Sequence, residues 1–190
     1  MTKRVCVYCG SSSRVDAKYL DAGRAFGARA ANAGLGIVYG GAASGVMGAV
    51  ADGCLDAGGE VIGVLPDVLM GPVPAAGRLS NEHGHPRLTQ LLRVPDMHTR
   101  KAVMSAYADA FVALPGGFGT LDELFEALTW RMIGTHAKPI ALLDVDGYWS
   151  HLIAFVDHAA RAGFVADAAR GFFFVEPDAD ALLQRLFFAR

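Results

Sequence analysis

The sequence predicts an α/β protein built on a parallel β-sheet. Short apolar runs, such as residues 110–114, show no period-2 alternation, which indicates strands covered on both faces. These runs alternate with helical patterns along the chain, and glycine-rich turns follow two of them directly. Repeated β-α-β order of this kind is typical of a doubly wound, Rossmann-like, mainly parallel sheet with helices on both faces.

The first part of the chain contains three predicted strands and two predicted helices in alternation. The strands are apolar runs at residues 4–8, 36–39 and 60–65, and the helices lie at residues 16–33 and 44–57. A Pro- and Gly-rich stretch at residues 66–84 is predicted to be a long loop.

The alternation continues to the end of the chain. Further strands are predicted at residues 91–94, 110–114, 139–143 and 172–175, and further helices at residues 97–108, 120–132, 149–162 and 178–187. The sequence has no internal repeat, low-complexity tract or linker. Residues 1–190 are therefore expected to form a single nucleotide-binding domain.

Composition and charge exclude several classes of protein. The 190 residues are 53% hydrophobic and 19% charged, which is too apolar for a disordered chain. The formal net charge of −2 gives no broad basic surface, so no nucleic-acid partner is expected. No apolar stretch approaches the length of a membrane span, and the first residues lead into a strand without a signal peptide. We expect a cytoplasmic protein with no membrane partner.

Two residue pairs have spacings that occur in metal or redox sites. Cys6 and Cys9 form a C-x-x-C pair, and His83 and His85 lie two residues apart. No second cysteine pair exists, so the C-x-x-C is better interpreted as the end of a buried strand. The histidines are interpreted as polar surface because no further ligands accompany them. Neither a metal nor a redox cofactor is expected.

The most informative segment is the glycine turn at residues 115–119, which joins a buried strand to a helix. Free backbone N–H groups and the positive end of the helix dipole meet at such a turn and favour phosphate binding. Glycines remove the side chains that would keep phosphate away from the backbone. Glu123 follows one turn later, close to the molecule that carries the phosphate.

A structural role for Glu123 is also open. Thr120 and Glu123 have the spacing of a capping box, in which two residues satisfy each other's backbone donors at the start of a helix. A capping box explains Glu123 without any catalysis. It does not explain the adjacent glycines.

An earlier glycine turn covers residues 40–48. It has neither the G-x-G-x-x-G spacing of a dinucleotide fingerprint nor the Gly-Lys-Ser/Thr of a P-loop. One interpretation is a tight turn with Ser44 as the helix N-cap. The other is that both turns form one phosphate or ribose site, in which Gly41 and Ser44 contact the ligand.

The predicted helix at residues 97–108 carries Arg100 in the middle of an apolar face. A guanidinium there needs an anion or several hydrogen-bond acceptors. The alternatives are a structural pair with a buried carboxylate or a side chain that extends past the apolar rim. The neighbouring phosphate turn favours an Arg100 that faces ligand, with Lys101 close by.

The predicted helix at residues 120–132 has two different faces. The expected core face consists of Leu121, Leu124, Phe125, Leu128 and Met132. The second face carries Glu123, Glu126, Ala127 and Trp130. Because Trp130 is large and apolar, this second face is expected to cover a ligand or to meet another subunit.

Two motifs at this spacing resemble the LOG ("Lonely guy") family. They are PGGFGTLDE at residues 115–123 and MHTRK at residues 97–101, and segments 6–12, 40–48 and 128–130 extend the similarity over nearly the whole chain. The family comprises cytokinin riboside 5′-monophosphate phosphoribohydrolases, once mislabelled lysine decarboxylases. The chain departs from the family pattern at Ala42, Val46 and Asp122, where glycine, leucine and glutamate are usual.

The resemblance implies a Rossmann-like homodimer that hydrolyses the N-glycosidic bond of cytokinin riboside 5′-monophosphates or AMP. The products would be the free base and ribose 5-phosphate. Arg100 and Glu123 match the family's catalytic pair. The residues that match its nucleotide contacts are Glu82, Lys101, Gly116, Gly117, Phe118, Gly119, Thr120, Leu121, Asp122 and Thr129.

These residues suggest a mechanism. Cleavage of an N-glycosidic bond builds positive charge on the ribose, which the carboxylate of Glu123 would stabilise while it orients water. Arg100 would hold the phosphate or the ribose hydroxyls. The sequence does not decide between plain adenine and an N6-prenylated base.

Three other functions compete with this one. The first is a non-catalytic nucleotide-binding or regulatory module on the same fold. The second is a pyridoxal-phosphate decarboxylase, which needs a Schiff-base lysine and has only Lys101 near the site. The third is a nicotinamide oxidoreductase, which the missing fingerprint disfavours.

Overall fold

The computed structural model describes residues 2–70 and 83–188. Its strands are β1 (Arg4–Tyr8), β2 (Gly36–Tyr39), β3 (Val61–Pro66), β4 (Gln90–Val94), β5 (Ala110–Ala113), β6 (Ile140–Leu143) and β7 (Phe173–Glu176). They form one sheet in the order β4-β3-β2-β1-β5-β6-β7, and all neighbouring strands in this sheet are parallel. The predicted α/β class is confirmed.

Helices connect the strands. They are α1 (Ala17–Asn32), α2 (Gly45–Asp56), α3 (Asp67–Met70), α4 (Met97–Tyr107), α5 (Phe118–Met132), α6 (Ser150–Arg161) and α7 (Ala179–Phe187). A 3-10 helix (Asp167–Phe172), which the sequence did not predict, precedes β7. Among the residues that the structure describes, none of these helices combines the length and apolarity that a bilayer crossing requires.

The loop predicted at residues 66–84 is wrong at its start. Pro66 is the last residue of β3, and α3 begins at once with Asp67. Proline is tolerated at the end of a strand, and an acidic residue suits the first turn of a helix. Residues 71–82 of this stretch lie outside the described residues.

Side chains of the central strands alternate between two cores, one on each face of the sheet. In β1, Val5 and Val7 pack into the core beneath α1, α2 and α7, whereas Cys6 and Tyr8 pack into the core beneath α4, α5 and α6. Burial on both faces explains why the strands are continuous apolar runs.

The order of the strands reverses between β1 and β5. The chain adds β2, β3 and β4 on one side of β1, then returns to place β5 on its other side, with Tyr8 opposite Ala113. Loops that leave neighbouring strands at such a point diverge and open a crevice at the carboxyl ends, where ligands bind in open α/β sheets. The topology thus predicts a site at the ends of β1 and β5.

Helices α1 and α2 pack backbone to backbone through glycines. A Cβ on Gly27 would overlap the carbonyl oxygen of Val50, and one on Gly53 would overlap the carbonyl oxygen of Arg24. Because the obstacles are backbone atoms, no side-chain movement relieves the overlap.

The substitution Gly27→Ala is expected to destabilise the protein by about 1–3 kcal/mol, the usual cost of overpacking. Alanine has a higher helix propensity than glycine by roughly 1 kcal/mol, and this gain offsets part of the overpacking cost. Urea unfolding of the variant and wild type measures the difference.

Gly171→Ala is the matched control, because a Cβ there would have no described atom within 4 Å. Its stability should stay within about 0.5 kcal/mol of wild type. Equal stability of the two variants would contradict the backbone packing of α1 on α2.

Candidate active site

A cavity of about 640 Å³ lies at the carboxyl ends of β1 and β5. Its walls come from the loop after β1, from the start of α5 and from α4. Arg100 and Glu123, the two residues predicted as a catalytic pair, both line this cavity. The structure therefore brings them together at the point where the strand order reverses.

Arg100 is 3% exposed, and backbone carbonyls fix its guanidinium. Its Nε donates to the carbonyl oxygen of Val64 at 3.1 Å, and its Nη2 donates to that of Gly40 at 2.7 Å. Val64 belongs to β3, and Gly40 directly follows β2. Since arginine does not lose its proton in proteins, these bonds hold a permanent positive charge at the cavity wall.

Gly40 makes this position of Arg100 available. A Cβ on Gly40 would overlap Nη2 of Arg100 and lie 3.0 Å from its Cζ. Any larger residue at position 40 would displace the guanidinium. The first glycine of the earlier turn thus serves the arginine.

The first turn of α5 has no side-chain cap. Gly117 is the N-cap, and the first helical hydrogen bond runs from the Leu121 N–H to the Gly117 carbonyl at 3.0 Å. The capping-box interpretation of Thr120 and Glu123 is therefore wrong, because the helix begins three residues earlier than a Thr120 cap requires. The N–H groups of residues 118–120 precede the first helical bond and belong to residues that line the cavity.

Packing does not explain two of the three glycines in this turn. A Cβ on Gly116 would overlap Oγ1 of Thr120, so glycine is required there. A Cβ on Gly117 or Gly119 would meet no described atom within 4 Å. Both line the cavity, and their bare backbone leaves room for a ligand.

Thr120 is a buried polar residue at the same place. It is 3% exposed and lines the cavity, yet its hydroxyl has no hydrogen-bond partner within residues 2–70 and 83–188. Buried hydroxyls normally have a partner, so this group is available to a bound molecule.

Glu123 lies in the second turn of α5 and is 5% exposed. Its negative charge acts on two buried residues of the neighbouring strand, Cys6 and Tyr8. Burial, and after it the charge of Glu123, raises the pKa of the Cys6 thiol well above its ordinary value. Burial, Cys6 and Glu123 likewise raise the pKa of Tyr8. Both neighbours therefore stay neutral near the carboxylate.

The interpretation of Cys6 and Cys9 as buried strand-end residues is confirmed. Both are buried, with Cys6 in the core beneath α4, α5 and α6 and Cys9 in the opposite core. A pair divided between two faces of a sheet cannot share a metal ion or form a disulfide.

The two faces predicted for α5 are only partly right. Leu124 is buried and Leu121 and Leu128 pack against the core, as predicted. Phe125 and Met132, assigned to the core, are 38% and 58% exposed. Glu123 and Ala127, assigned to the other face, are buried. The cavity explains the rotation, because the beginning of α5 turns Glu123 inward toward it. Phe125 and Met132 are left on the outer face of α5, where another protein surface could cover them.

Lys101 lies beside the catalytic candidates but is paired with carboxylates. Its Nζ is 3.1 Å from Asp122 and 2.9 Å from Glu126. Burial alone lowers the pKa of Lys101, but hydrogen bonds to Glu126 and Asp122 outweigh it and raise the pKa above its ordinary value. Among the described residues that line the cavity, neither Lys101 nor Asp122 occurs.

Gly41 and Ser44 also lie off the cavity lining that the structure describes. Gly41 has φ +85° and packs so closely on Gly63 that a Cβ there would lie 2.8 Å from the Gly41 Cα. Ser44 is the N-cap of α2, as predicted, but its hydroxyl donates to the Ser11 carbonyl at 2.8 Å. The first turn shapes the site through Gly40 and this link to Ser11.

Three other predicted contacts have different positions. Leu121 is half-buried against the core beneath α5. Thr129 is exposed, donates to the Phe125 carbonyl at 2.7 Å and lines a separate apolar groove. Glu82 lies outside the described residues.

The prediction that both loop histidines are polar surface is wrong for His85, whose side chain is 4% exposed. Its Nε2 lies 3.2 Å from Asp52, its Nδ1 accepts from the Arg87 N–H at 3.2 Å, and its own N–H donates to the Gly41 carbonyl at 2.9 Å. His85 thus fixes the first glycine turn. Within the described ranges, no group of three or more His, Cys, Asp or Glu could hold a metal ion.

Several cavity residues were missed from the sequence. Residues 9–12 line the cavity directly after β1, and their position after a strand at this edge was an available signal. Met47, Leu69 and Met97 provide apolar wall. Met47 and Met97 lie inside segments that carry the family resemblance, but only the folded chain shows that their side chains line the cavity together with Leu69.

Comparisons with known proteins agree with this geometry. Residues 47–186 match a family model described as "Possible lysine decarboxylase". The probable cytokinin riboside 5′-monophosphate phosphoribohydrolase LOGL9 of Oryza sativa subsp. japonica is 44% identical over 97% of this chain and 77% of that protein. The cytokinin riboside 5′-monophosphate phosphoribohydrolase LOG1 of Arabidopsis thaliana is 41% identical over 97% of this chain and 82% of that protein.

A solved structure shares the fold. The molybdenum cofactor carrier protein of Chlamydomonas reinhardtii superposes with a TM-score of 0.74 at 22% identity, over 100% of both chains. At that identity the likeness concerns the fold alone. The sequence relatives and the family model are the decisive comparisons, and by them this chain belongs to the LOG family.

Proposed function

We propose that this enzyme hydrolyses the N-glycosidic bond of AMP or of cytokinin riboside 5′-monophosphates, and releases the free base and ribose 5-phosphate. One observation carries the proposal: a buried carboxylate and a buried guanidinium border the same cavity as the uncapped start of a helix. The names of its relatives describe this reaction.

The 5′-phosphate binds at the start of α5. The N–H groups of residues 118–120 and the helix dipole favour an anion there, and Gly117 and Gly119 leave the backbone open. The buried Thr120 hydroxyl supplies a further donor. These three features support a substrate that carries phosphate.

Glu123 and Arg100 act on the ribose. Hydrolysis breaks the bond between ribose C1′ and the base nitrogen, and a hydroxyl from water adds to C1′. The bonding electron pair leaves with the base nitrogen, and positive charge develops on the ribose as the bond breaks. Glu123 stabilises this charge and takes a proton from the water, and that proton is then passed on to the leaving base, which is released as the neutral free base. Arg100, held by the carbonyls of Gly40 and Val64, fixes the sugar phosphate against Glu123.

The state of Lys101 argues against a pyridoxal-phosphate decarboxylase. A Schiff-base lysine needs a lowered pKa and free access to the cofactor. Lys101 is 10% exposed, bound to two carboxylates, and has a raised pKa.

The base is expected to lie against Met47, Leu69 and Met97. These side chains give the cavity an apolar wall, which suits an adenine ring with or without an N6-prenyl group. Measurement of AMP and isopentenyladenosine monophosphate turnover in parallel decides between the two substrates.

We also propose the cytoplasm as the compartment, on the sequence pattern alone.

We further propose that the enzyme works as a homodimer. Phe118, Phe125 and Met132 form an outward stripe on α5, with exposures of 93%, 38% and 58%. Thr129 lies on the same stripe. At 3.6 residues per turn, its side chain is about 120° around the helix axis from that of Glu123. A Thr129 that contacts nucleotide would therefore reach the site of the partner subunit. Exposed apolar surface of this kind supports such an interface.

The substitution Glu123→Gln is expected to lower AMP turnover by about 10²–10⁴-fold, because it removes the charge that stabilises the ribose cation. The shape of the side chain is kept, so the fold should be retained. Turnover is measured by chromatography of the adenine and ribose 5-phosphate released from AMP. Circular dichroism checks that the variant is folded.

Glu126→Gln is the matched control for this variant. Glu126 lies on the same helix and pairs with Lys101 outside the cavity lining. It should keep turnover within a few-fold of wild type. Full activity of Glu123→Gln would leave Glu123 without a catalytic role, and wild-type protein that binds AMP but releases no adenine would indicate the binding module instead.

The substitution Gly40→Ala should lower turnover by about 10²-fold, since its Cβ displaces the Arg100 guanidinium, and misplacement by about 1 Å costs that much. Gly36→Ala, at the start of the preceding strand β2, serves as control. The two atoms nearest to its Cβ are side-chain atoms of Arg4 and Glu60 at 3.2 Å, and neither belongs to the cavity. Equal turnover of both folded variants would remove the link between Gly40 and Arg100.

The substitution Met132→Asp is expected to separate the dimer and reduce turnover, because a charge would enter the apolar interface. Light scattering gives the mass of each variant. Val68→Asp is the control, with a similarly exposed apolar side chain on α3 at 52%. A monomeric wild type, or a Met132→Asp variant that stays dimeric and active, would contradict this interface.

A further inference from the structure

The loop after β1 forms a wall of the cavity that the proposed mechanism does not use. Residues 9–12 line the cavity together with the first turn of α5. Because β1 and β5 are neighbours in the sheet, the loops that follow them leave from adjacent positions. The β1 loop therefore faces any phosphate that binds at the start of α5.

Hydrogen bonds from both glycine turns fix the backbone of this loop. The Gly10 N–H donates to the Pro115 carbonyl at 3.1 Å, and the Gly10 carbonyl accepts from the Met47 N–H at 3.1 Å. The Ser44 hydroxyl donates to the Ser11 carbonyl at 2.8 Å. The loop is thus tied to the later turn on one side and to α2 on the other.

Close packing restricts the loop further. A Cβ on Gly10 would lie 3.3 Å from the Gly116 Cα, and one on Gly45 would lie 2.6 Å from the Ser11 carbonyl carbon. Gly45 also has φ +61°, which favours glycine. These contacts hold the β1 loop in one position beside the phosphate turn.

Ser11 has a hydroxyl that this arrangement leaves available. It is half-buried and lines the cavity, and its hydroxyl has no hydrogen bond to any residue of the described ranges. In the same cavity, the buried Thr120 hydroxyl is likewise without a partner in the described chain. Two such hydroxyls beside one helix N-terminus match the several oxygens of a phosphate group.

We propose that Ser11 is a phosphate-binding residue, whose hydroxyl donates a hydrogen bond to the 5′-phosphate from the side opposite the α5 amides. The inference rests on the proposed function, since it assumes a nucleoside 5′-monophosphate in this cavity. It adds the β1 loop to the binding site and explains why both glycine turns hold that loop.

The test uses Ser11→Ala with Ser13→Ala as its control. Ser13 is exposed, lies in the same loop and lines a different cavity. AMP hydrolysis is measured with ribose 5-phosphate and with adenosine as competing inhibitors. In Ser11→Ala, the KM for AMP and the inhibition constant of ribose 5-phosphate should rise about tenfold or more, as for loss of a hydrogen bond to a charged group. The inhibition constant of adenosine, which has no phosphate, should change less than about twofold.

The outcomes separate this inference from the proposed function. If wild type hydrolyses AMP and Ser11→Ala shows an unchanged KM and unchanged inhibition constants, Ser11 does not bind the phosphate, and the proposed hydrolase activity still stands. An equal rise in the inhibition constant of adenosine overturns the role of Ser11 in the same way. If wild type releases no adenine, the hydrolase fails, and calorimetric binding of AMP and adenosine to wild type and Ser11→Ala takes over as the readout. Selective loss of AMP binding then supports Ser11 as a phosphate ligand, and unchanged binding overturns it.

Discussion

The site depends on a guanidinium that is buried against backbone carbonyls. Arg100 donates to Val64 and Gly40, so its charge is fixed relative to the ends of β3 and β2. A buried charge is costly unless hydrogen bonds compensate it, and the two carbonyls contribute to that compensation. The arginine is therefore positioned before a ligand arrives, which lowers the cost of organising the site during the reaction.

The glycines of the chain divide into two kinds around this arrangement. Gly40, Gly45 and Gly116 are required by protein atoms, because a Cβ would overlap or crowd Arg100, Ser11 or Thr120. Gly117 and Gly119 face open space at the start of α5. The first kind holds the walls of the cavity in place, and the second kind leaves the backbone exposed to the ligand. A glycine motif alone does not distinguish these two physical roles.

Features that depend on local sequence could be predicted, whereas those that depend on contacts between distant residues could not. The order of strands and helices followed from apolar periodicity, and the glycine turn at the start of α5 followed from its position after a strand. The rotation of α5 did not, since Phe125 and Met132 look like core residues unless another surface covers them. The burial of His85 and the fixed conformation of the β1 loop also escaped the sequence, because contacts between distant residues such as Asp52 and His85, or Ser44 and Ser11, create them.

The most direct test of the central claim is a crystal structure of the Glu123→Gln variant with AMP bound. If Glu123 and Arg100 act on the ribose, the phosphate accepts hydrogen bonds from the amides of residues 118–120, and ribose C1′ lies between the side chain at position 123 and the Arg100 guanidinium. AMP bound in another cavity, or bound here with its ribose pointing away from both side chains, would show that Glu123 and Arg100 do not act on the ribose.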